Sequence, residues 1–94
     1  MQFNYQTEQQ QSVDVLEDVA LQHKLILHND ETNTFEWVIE TLIHVCKHTE
    51  QQAEQCSYFI HSKGKYAVQH GSFNTLKQMK DAITERGISA TIES

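Results

Sequence analysis

Apolar and polar residues recur along this chain with the spacings of three strands and three helices. Residues 25–27 are all apolar and precede the polar triplet 29–31, so a short strand is expected to end there in a turn. Residues 65–70 predict a second strand, which Gly71 ends. Apolar and polar side chains alternate over residues 88–92, which predicts a half-buried third strand.

Three helices are predicted between these strands, because apolar residues recur there at intervals of three and four. Asn33 can cap the first helix together with Glu36, and Thr49 with Gln52 forms a capping box for the second. Ser72 caps the third helix. The inward-facing residues, helix by helix, are Phe35, Val38, Ile39, Leu42 and Cys46; Ala53, Cys56, Phe59 and Ile60; and Leu76, Met79 and Ile83.

The order strand, helix, helix, strand, helix, strand predicts a single small α+β domain, a three-stranded antiparallel sheet backed by three helices. Gly64 and Gly87 follow the second and third helices, where glycine commonly ends a helix. Residues 1–22 are rich in glutamine and acidic residues and carry only a marginal helical pattern. We therefore expect a mobile N-terminal extension over residues 1–22, followed by a core domain over residues 23–94.

Composition excludes several classes of function. Seven basic residues stand against thirteen acidic ones, a net charge of -6, whereas nucleic acids are bound largely through Lys and Arg. No apolar run approaches the ~20 residues of a membrane span, and the first residues lack the features of a signal peptide. The two cysteines, Cys46 and Cys56, suggest reduced thiols. We expect a cytoplasmic protein that binds neither nucleic acid nor membranes.

Three groups of polar residues are candidates for chemistry, and each also has a structural interpretation. Asn29 and Asp30 lie in a turn ahead of a helix, where such residues are common. His61 lies near the end of the second helix, a position that the helix dipole favours. His44 and His48 have the spacing of two metal ligands on one helical face. No third ligand follows at a standard spacing, so we expect neither a metal nor a cofactor.

Catalysis is not supported by these residues. Cys46 and Cys56 lie on apolar helix faces, away from the helix N-termini that stabilise a thiolate. Asp30 with His61 could act as an acid-base pair, but no nucleophile or oxyanion-hole turn accompanies them. The nucleotide-binding glycine motifs are absent from the sequence. We therefore expect that the protein is not an enzyme.

Two separated segments resemble the ClpS family, the adaptors that deliver N-degron substrates to the Clp protease. Residues 24–38, KLILHNDETNTFEWV, resemble the family's apolar strand, Asn-Asp-acidic turn and aromatic-acidic-aromatic-Val helix start. Residues 60–65, IHSKGK, resemble the motif that ends the family's helix pair, and residues 87–93 resemble its last strand. The resemblance covers residues 24–93.

The resemblance implies an adaptor that binds a free α-amino group together with a bulky apolar first residue such as Phe, Tyr, Trp or Leu. By position, it assigns the amino group to Asn29, Asp30 and His61. It assigns the pocket for the first side chain to Leu27, Phe35, Val38, Ser57, Ile60 and Ile88. The family often has Met at the positions of Phe35 and Ser57, so the preferred first residue stays open.

The resemblance also implies a partner, the N-terminal domain of a ClpA- or ClpC-type AAA+ unfoldase. Lys77 and Lys80 are the candidate contacts, although the family's Thr-x-Glu-x-Ala motif is not present in this segment. We expect a monomer. Two alternatives stay open: an interaction domain of the same fold that binds no degron, and a small metal-binding protein that uses His44 and His48.

Overall fold

The computed structural model of the protein describes residues 23–94, so the expectation of a mobile extension over residues 1–22 lies outside the described residues. The elements follow the predicted order, and their bounds are β1 His23–His28, α1 Phe35–Cys46, α2 Glu50–Lys63, β2 Lys65–Gly71, α3 Phe73–Glu85 and β3 Ala90–Glu93. The predicted α+β architecture is confirmed.

The three strands form one antiparallel sheet in the order β2-β1-β3, with β1 in the centre. Leu25 and Leu27 of β1 are completely buried and belong to the core between the sheet and the helices. Because successive side chains of a strand point to opposite faces, Ile26 lies on the other side of the sheet. The apolar residues 25–27 therefore lie in the central strand of the sheet, and two of them pack into the core beneath the helices.

Side-chain caps define where the helices begin, and one of the predicted caps is wrong. Thr34, not Asn33, caps α1, because its Oγ1 accepts a hydrogen bond of 3.0 Å from the backbone N–H of Trp37. The Asn33 side chain instead donates to the Asp30 carboxylate. The capping box of Thr49 with Gln52 and the Ser72 cap are confirmed.

The helix ends follow two different rules. Gly64 and Gly87 have φ of 88°, a left-handed conformation that glycine adopts without strain, so both predicted stops are confirmed. The first helix ends at Cys46, where Lys47 takes the left-handed conformation although it is not a glycine. The α1–α2 connection is consequently only three residues long.

This early end of α1 overturns the predicted pairing of two histidines on one helical face. His44 lies in the last turn of α1, with Nε2 at 3.9 Å from the Glu40 carboxylate. His48 lies beyond the helix, and its Nε2 donates a hydrogen bond of 2.9 Å to the Val68 carbonyl oxygen. Within residues 23–94, no three potential ligands lie close enough together to hold a metal ion.

Most of the predicted inward residues form the core, with Leu42, Leu76 and Ile83 completely buried. Phe35 departs from this prediction, because its side chain is 43% exposed at the first position of α1. Ser57 is 2% exposed, so a polar residue lies inside the core face of α2. None of the helices in residues 23–94 has the length and apolar character needed to cross a membrane.

Candidate functional site

A cleft of about 590 Å³ opens where the end of β1, the loop before α1 and the end of α2 meet. Seven of the nine residues that the sequence predicts for the site line this cleft: Asn29, Asp30, Phe35, Val38, Ser57, Ile60 and His61. The other two, Leu27 and Ile88, lie deeper. Residues far apart in the sequence are thus brought to one place by the order of the strands and helices.

Backbone hydrogen bonds fix the polar end of this cleft. The N–H of Asn29 donates to the Gly64 carbonyl oxygen at 2.8 Å, which ties the end of β1 to the turn after α2. The N–H of His28 donates to the Ser89 carbonyl oxygen at 3.0 Å, which ties the end of β1 to the residue before β3. His61 occupies the last turn of α2, one turn before Gly64, and is exposed to solvent. The two ties therefore hold Asn29, Asp30 and His61 around the same opening.

The Asp30 carboxylate organises the loop as well as lining the cleft. Its Oδ1 accepts hydrogen bonds from the backbone N–H groups of Thr32, at 2.9 Å, and Asn33, at 2.8 Å. The Asn33 side-chain nitrogen donates to both carboxylate oxygens and to the Gly87 carbonyl oxygen at 2.9 Å. Among residues 23–94, Oδ2 accepts from one donor, which leaves one of its lone pairs for a ligand.

These donors determine the charge of Asp30. The backbone hydrogen bond from Asn33 lowers the pKa of the Asp30 carboxyl below its ordinary value of 3.8, because it stabilises the ionised form. Burial, the second-largest influence, raises the pKa, and the bonds from the Asn33 side chain and the Thr32 backbone add to the lowering. Asp30 is therefore an anion at neutral pH.

Sequence reasoning missed Asn33 as a residue of the site. Asn33 lines the cleft and holds Asp30 against the loop before β3. The signal was present as an Asp followed three residues later by an Asn, a pattern typical of side chains that bond within a turn. Its amide was assigned to the helix cap, which Thr34 provides.

The apolar end of the cleft consists of Phe35, Val38, Ser57 and Ile60. Ile60 is 3% exposed and forms a fixed wall, whereas Phe35 lies at the exposed rim. The Ser57 hydroxyl is buried and has no hydrogen-bond partner among the described residues. An unpaired buried hydroxyl costs roughly 1–3 kcal/mol of folding free energy. Ser57 is thus the small, polar residue of this wall.

Leu27 and Ile88 form the back of the site. They are 0% and 2% exposed and contact a void of only about 10 Å³, behind Val38 and Ile60. Such a void has room for one water molecule at most. The open cleft therefore ends at Val38 and Ile60, and a ligand side chain reaches Leu27 and Ile88 only when those two residues move.

Lys77 and Lys80 belong to a different surface. With Phe73, Thr91 and Ile92 they line a depression of about 370 Å³ between α3 and β3. Lys77 Nζ lies 2.8 Å from the Asp81 carboxylate, a pair that lowers the pKa of Asp81, and the Phe73 ring is 48% exposed. The candidate partner contacts are thus lysines beside the exposed Phe73 and the half-buried Ile92, apart from the cleft.

The comparisons with known proteins identify the class of protein and then the family. The family model described as ATP-dependent Clp protease adaptor protein ClpS matches residues 18–91. The class is therefore that of protease adaptors, and this chain belongs to the ClpS family. The comparison with curated proteins found no significant match.

A solved structure supports the fold independently. The structure of Agrobacterium tumefaciens ClpS2 bound to L-phenylalaninamide superimposes with a TM-score of 0.73. The two sequences are 21% identical, and the match covers 76% of this chain and 93% of the other. At this identity the similarity establishes a common fold.

Proposed function

We propose that this protein is an N-degron adaptor. It binds proteins that present a free α-amino group and a bulky apolar first residue, such as Phe, Tyr, Trp or Leu, and it delivers them to a Clp AAA+ unfoldase. The observation that carries the proposal is a single cleft with an anionic acceptor, Asp30, at one end and the apolar wall of Val38 and Ile60 at the other. The family membership agrees with it. L-phenylalaninamide, the molecule bound to the ClpS2 relative, has both a free amino group and a benzyl side chain.

The amino group is held at the polar end of the cleft. An α-amino group with a pKa near ~7.7–8.0 is mostly charged at neutral pH and offers three N–H donors. Oδ2 of Asp30, the side-chain oxygen of Asn29 and a ring nitrogen of His61 are the acceptors. Hydrogen bonds to charged groups contribute roughly 1.5–3 kcal/mol each. N-acetylation removes the charge and two of the donors, so an acetylated peptide leaves the Asp30 carboxylate without its counter-charge.

The first side chain fills the apolar end, against Phe35, Val38, Ser57 and Ile60, with Leu27 and Ile88 behind. Burying a Leu or Phe side chain contributes roughly 1.5–3 kcal/mol, most of which an Ala first residue lacks. The two ends together select both features of an N-degron. We expect a dissociation constant in the micromolar range, which corresponds to a binding free energy of ~-8 kcal/mol. Tighter binding would hinder an adaptor, because it also has to release its substrate.

Delivery uses the other face of the domain, and the protein catalyses no reaction itself. The adaptor acts as a monomer and docks on the N-terminal domain of a ClpA- or ClpC-type unfoldase. Lys77 and Lys80, beside the exposed Phe73, form the proposed contact. We propose that residues 1–22 assist engagement with the unfoldase.

Charge reversal at Lys77 and Lys80 should therefore separate delivery from recognition. The Lys77→Glu/Lys80→Glu variant is expected to bind a Phe-start peptide as the wild type does, and to lower the rate of degradation of a Phe-start reporter by about tenfold or more. Degradation by the purified unfoldase and protease, with and without the adaptor, is the measurement. The matched control is Lys24→Glu/Lys65→Glu, which makes the same charge change on the sheet. Unchanged degradation with Lys77→Glu/Lys80→Glu would place the contact elsewhere.

A further inference from the structure

A second groove, of about 630 Å³, runs between α1 and α2. Its floor is apolar and consists of Phe35, Ile39 and Ile43. Its rim carries His44 and four acidic residues, Glu36 and Glu40 on α1 and Glu50 and Glu54 on α2. Nothing in the proposed recognition of the amino terminus uses these residues other than Phe35.

The charges of this groove are unbalanced. All four glutamates are exposed, and no Lys or Arg is among the described residues that line the groove. Glu36 with Glu40, and Glu50 with Glu54, are spaced four apart on their helices, an arrangement of like charges that destabilises a helix. Within residues 23–94, the one ion-pair contact of the four is that of Glu40 with His44, at 3.9 Å. Basic groups in the groove would relieve this repulsion.

The groove continues directly from the proposed degron cleft, since Phe35 lines both. The short connection makes α1 and α2 antiparallel, so the cleft lies between the start of α1 and the end of α2, and the groove follows towards the other ends. From Phe35 to Ile43 the helix rises ~12 Å, which about three to four residues of an extended peptide span. A peptide whose first side chain occupies the cleft can therefore lay its next residues along the groove.

Two other occupants do not have the required charge. Residues 1–22 of this chain contain four acidic residues, Glu8, Asp14, Glu17 and Asp18, and no Lys or Arg. A second copy of the chain has a net charge of -6. The complementary occupant is a basic segment with some apolar side chains, and the continuity with the cleft indicates that it belongs to the bound degron.

We propose that the α1–α2 groove is a second subsite, which selects substrates with basic residues at about the third to fifth positions after the amino terminus. This inference rests on the proposed N-degron function. The first residue determines whether a substrate binds, and the following residues adjust how tightly it binds. Substrates with acidic residues at these positions are disfavoured by the same glutamates.

The test compares three labelled peptides, Phe-Ser-Lys-Ala-Lys-Ser, Phe-Ser-Gln-Ala-Gln-Ser and Phe-Ser-Glu-Ala-Glu-Ser, by fluorescence anisotropy. At low salt the Lys peptide is expected to bind about tenfold more tightly than the Glu peptide, with the Gln peptide between them. At about 0.5 M salt the difference is expected to shrink to about twofold, because exposed charges are then screened. Equal affinity of the three peptides at low salt would overturn the subsite.

Two variants with the same change in net charge locate the effect. Glu40→Gln/Glu54→Gln is expected to reduce the Lys-to-Glu preference to about threefold or less and to leave the Gln peptide unaffected. Asp81→Asn/Glu85→Gln, on α3, is expected to keep the full preference. If both variants reduce the preference equally, the effect comes from net charge and the groove is not a subsite.

Peptides with different first residues separate the test of this subsite from the test of the N-degron function on which it rests. Failure of the Phe-start Gln peptide to bind would contradict the N-degron proposal and the subsite together. Binding of that peptide with no effect of Lys or Glu would contradict the subsite alone. An Ala-start Lys peptide that binds as tightly as the Phe-start one would also overturn the subsite, because the groove would then take basic partners without a degron.

Discussion

Replacing Asp30 by Asn is expected to abolish binding of a Phe-start peptide while the domain stays folded. The substitution keeps an oxygen that can accept from the Thr32 and Asn33 backbone and from the Asn33 side chain, the three donors that Oδ1 now serves. It removes the negative charge and places an NH₂ group where Oδ2 would meet the ammonium. The loss of one charge-assisted hydrogen bond is worth roughly 1.5–3 kcal/mol, so affinity should fall by about 100-fold.

The Asp30→Ala variant is the contrasting change. It leaves the N–H groups of Thr32 and Asn33 without their acceptor and frees the Asn33 side chain, so it should destabilise the fold by about 2–3 kcal/mol as well as abolish binding. Thermal melting of both variants, beside anisotropy with the same peptide, separates the two roles. An Asp30→Asn variant that melts within a few degrees of the wild type and still binds would contradict the role of the carboxylate.

The acid dependence of stability supplies an independent readout of the same group. Because the folded-state pKa of Asp30 lies below its ordinary value of 3.8, ionised Asp30 stabilises the fold at all pH values above about 3.8. That contribution is lost as the pH falls through the folded-state pKa. The difference in unfolding free energy between the wild type and Asp30→Asn should thus be constant near neutral pH and decrease in acid.

Replacing Ser57 by Met is expected to change which first residues bind. Ser57 is the small residue of the apolar wall, and a Met side chain there would extend into the cleft opposite Phe35. Peptides that begin with Trp, the largest side chain, should lose about tenfold in affinity, whereas Leu-start peptides should change little. The measurement is a set of dissociation constants for Phe-, Tyr-, Trp- and Leu-start peptides. An unchanged order would show that Ser57 does not line the pocket.

The matched control is Ser57→Ala, which removes the unpaired hydroxyl without adding volume. Its order of peptide affinities should match that of the wild type, and its melting temperature should be equal or higher, because the buried hydroxyl has no partner among the described residues. If Met packs into the core instead of the cleft, overpacking would cost about 1–3 kcal/mol and lower the melting temperature. Melting of Ser57→Met therefore reports where its side chain lies.

The fold could be predicted because its signals are local. An apolar run marked β1 and alternation marked β3, and Thr49, Ser72, Gly64 and Gly87 marked helix ends with side chains or conformations that act within a few residues. The errors occurred where a distant contact or an unusual conformation decided the outcome. The Asn33 side chain does not cap α1, because it donates hydrogen bonds to the Asp30 carboxylate and to the Gly87 carbonyl oxygen.

The end of α1 had no sequence signal, because a lysine takes the left-handed position that a glycine usually fills. The shared helical face of His44 and His48, on which the alternative of a metal-binding protein depended, is therefore wrong. The residues of the site could be proposed only through the resemblance, since Asn29, Asp30 and His61 are ordinary turn and helix-end residues by themselves. Leu27 and Ile88 are buried behind the cleft because the strands and helices pack together there, and no local sequence pattern predicts such packing.

The most direct test of the account is fluorescence anisotropy with four peptides that differ only at the amino terminus: Phe, Leu, Ala and N-acetylated Phe. We expect micromolar binding of the Phe and Leu peptides and no measurable binding of the Ala and N-acetylated Phe peptides, because each of the latter two lacks one of the two features that the cleft selects. Equal binding of all four peptides, or binding of none, would contradict N-degron recognition. The chain would then be a member of the ClpS family that binds partners in another way.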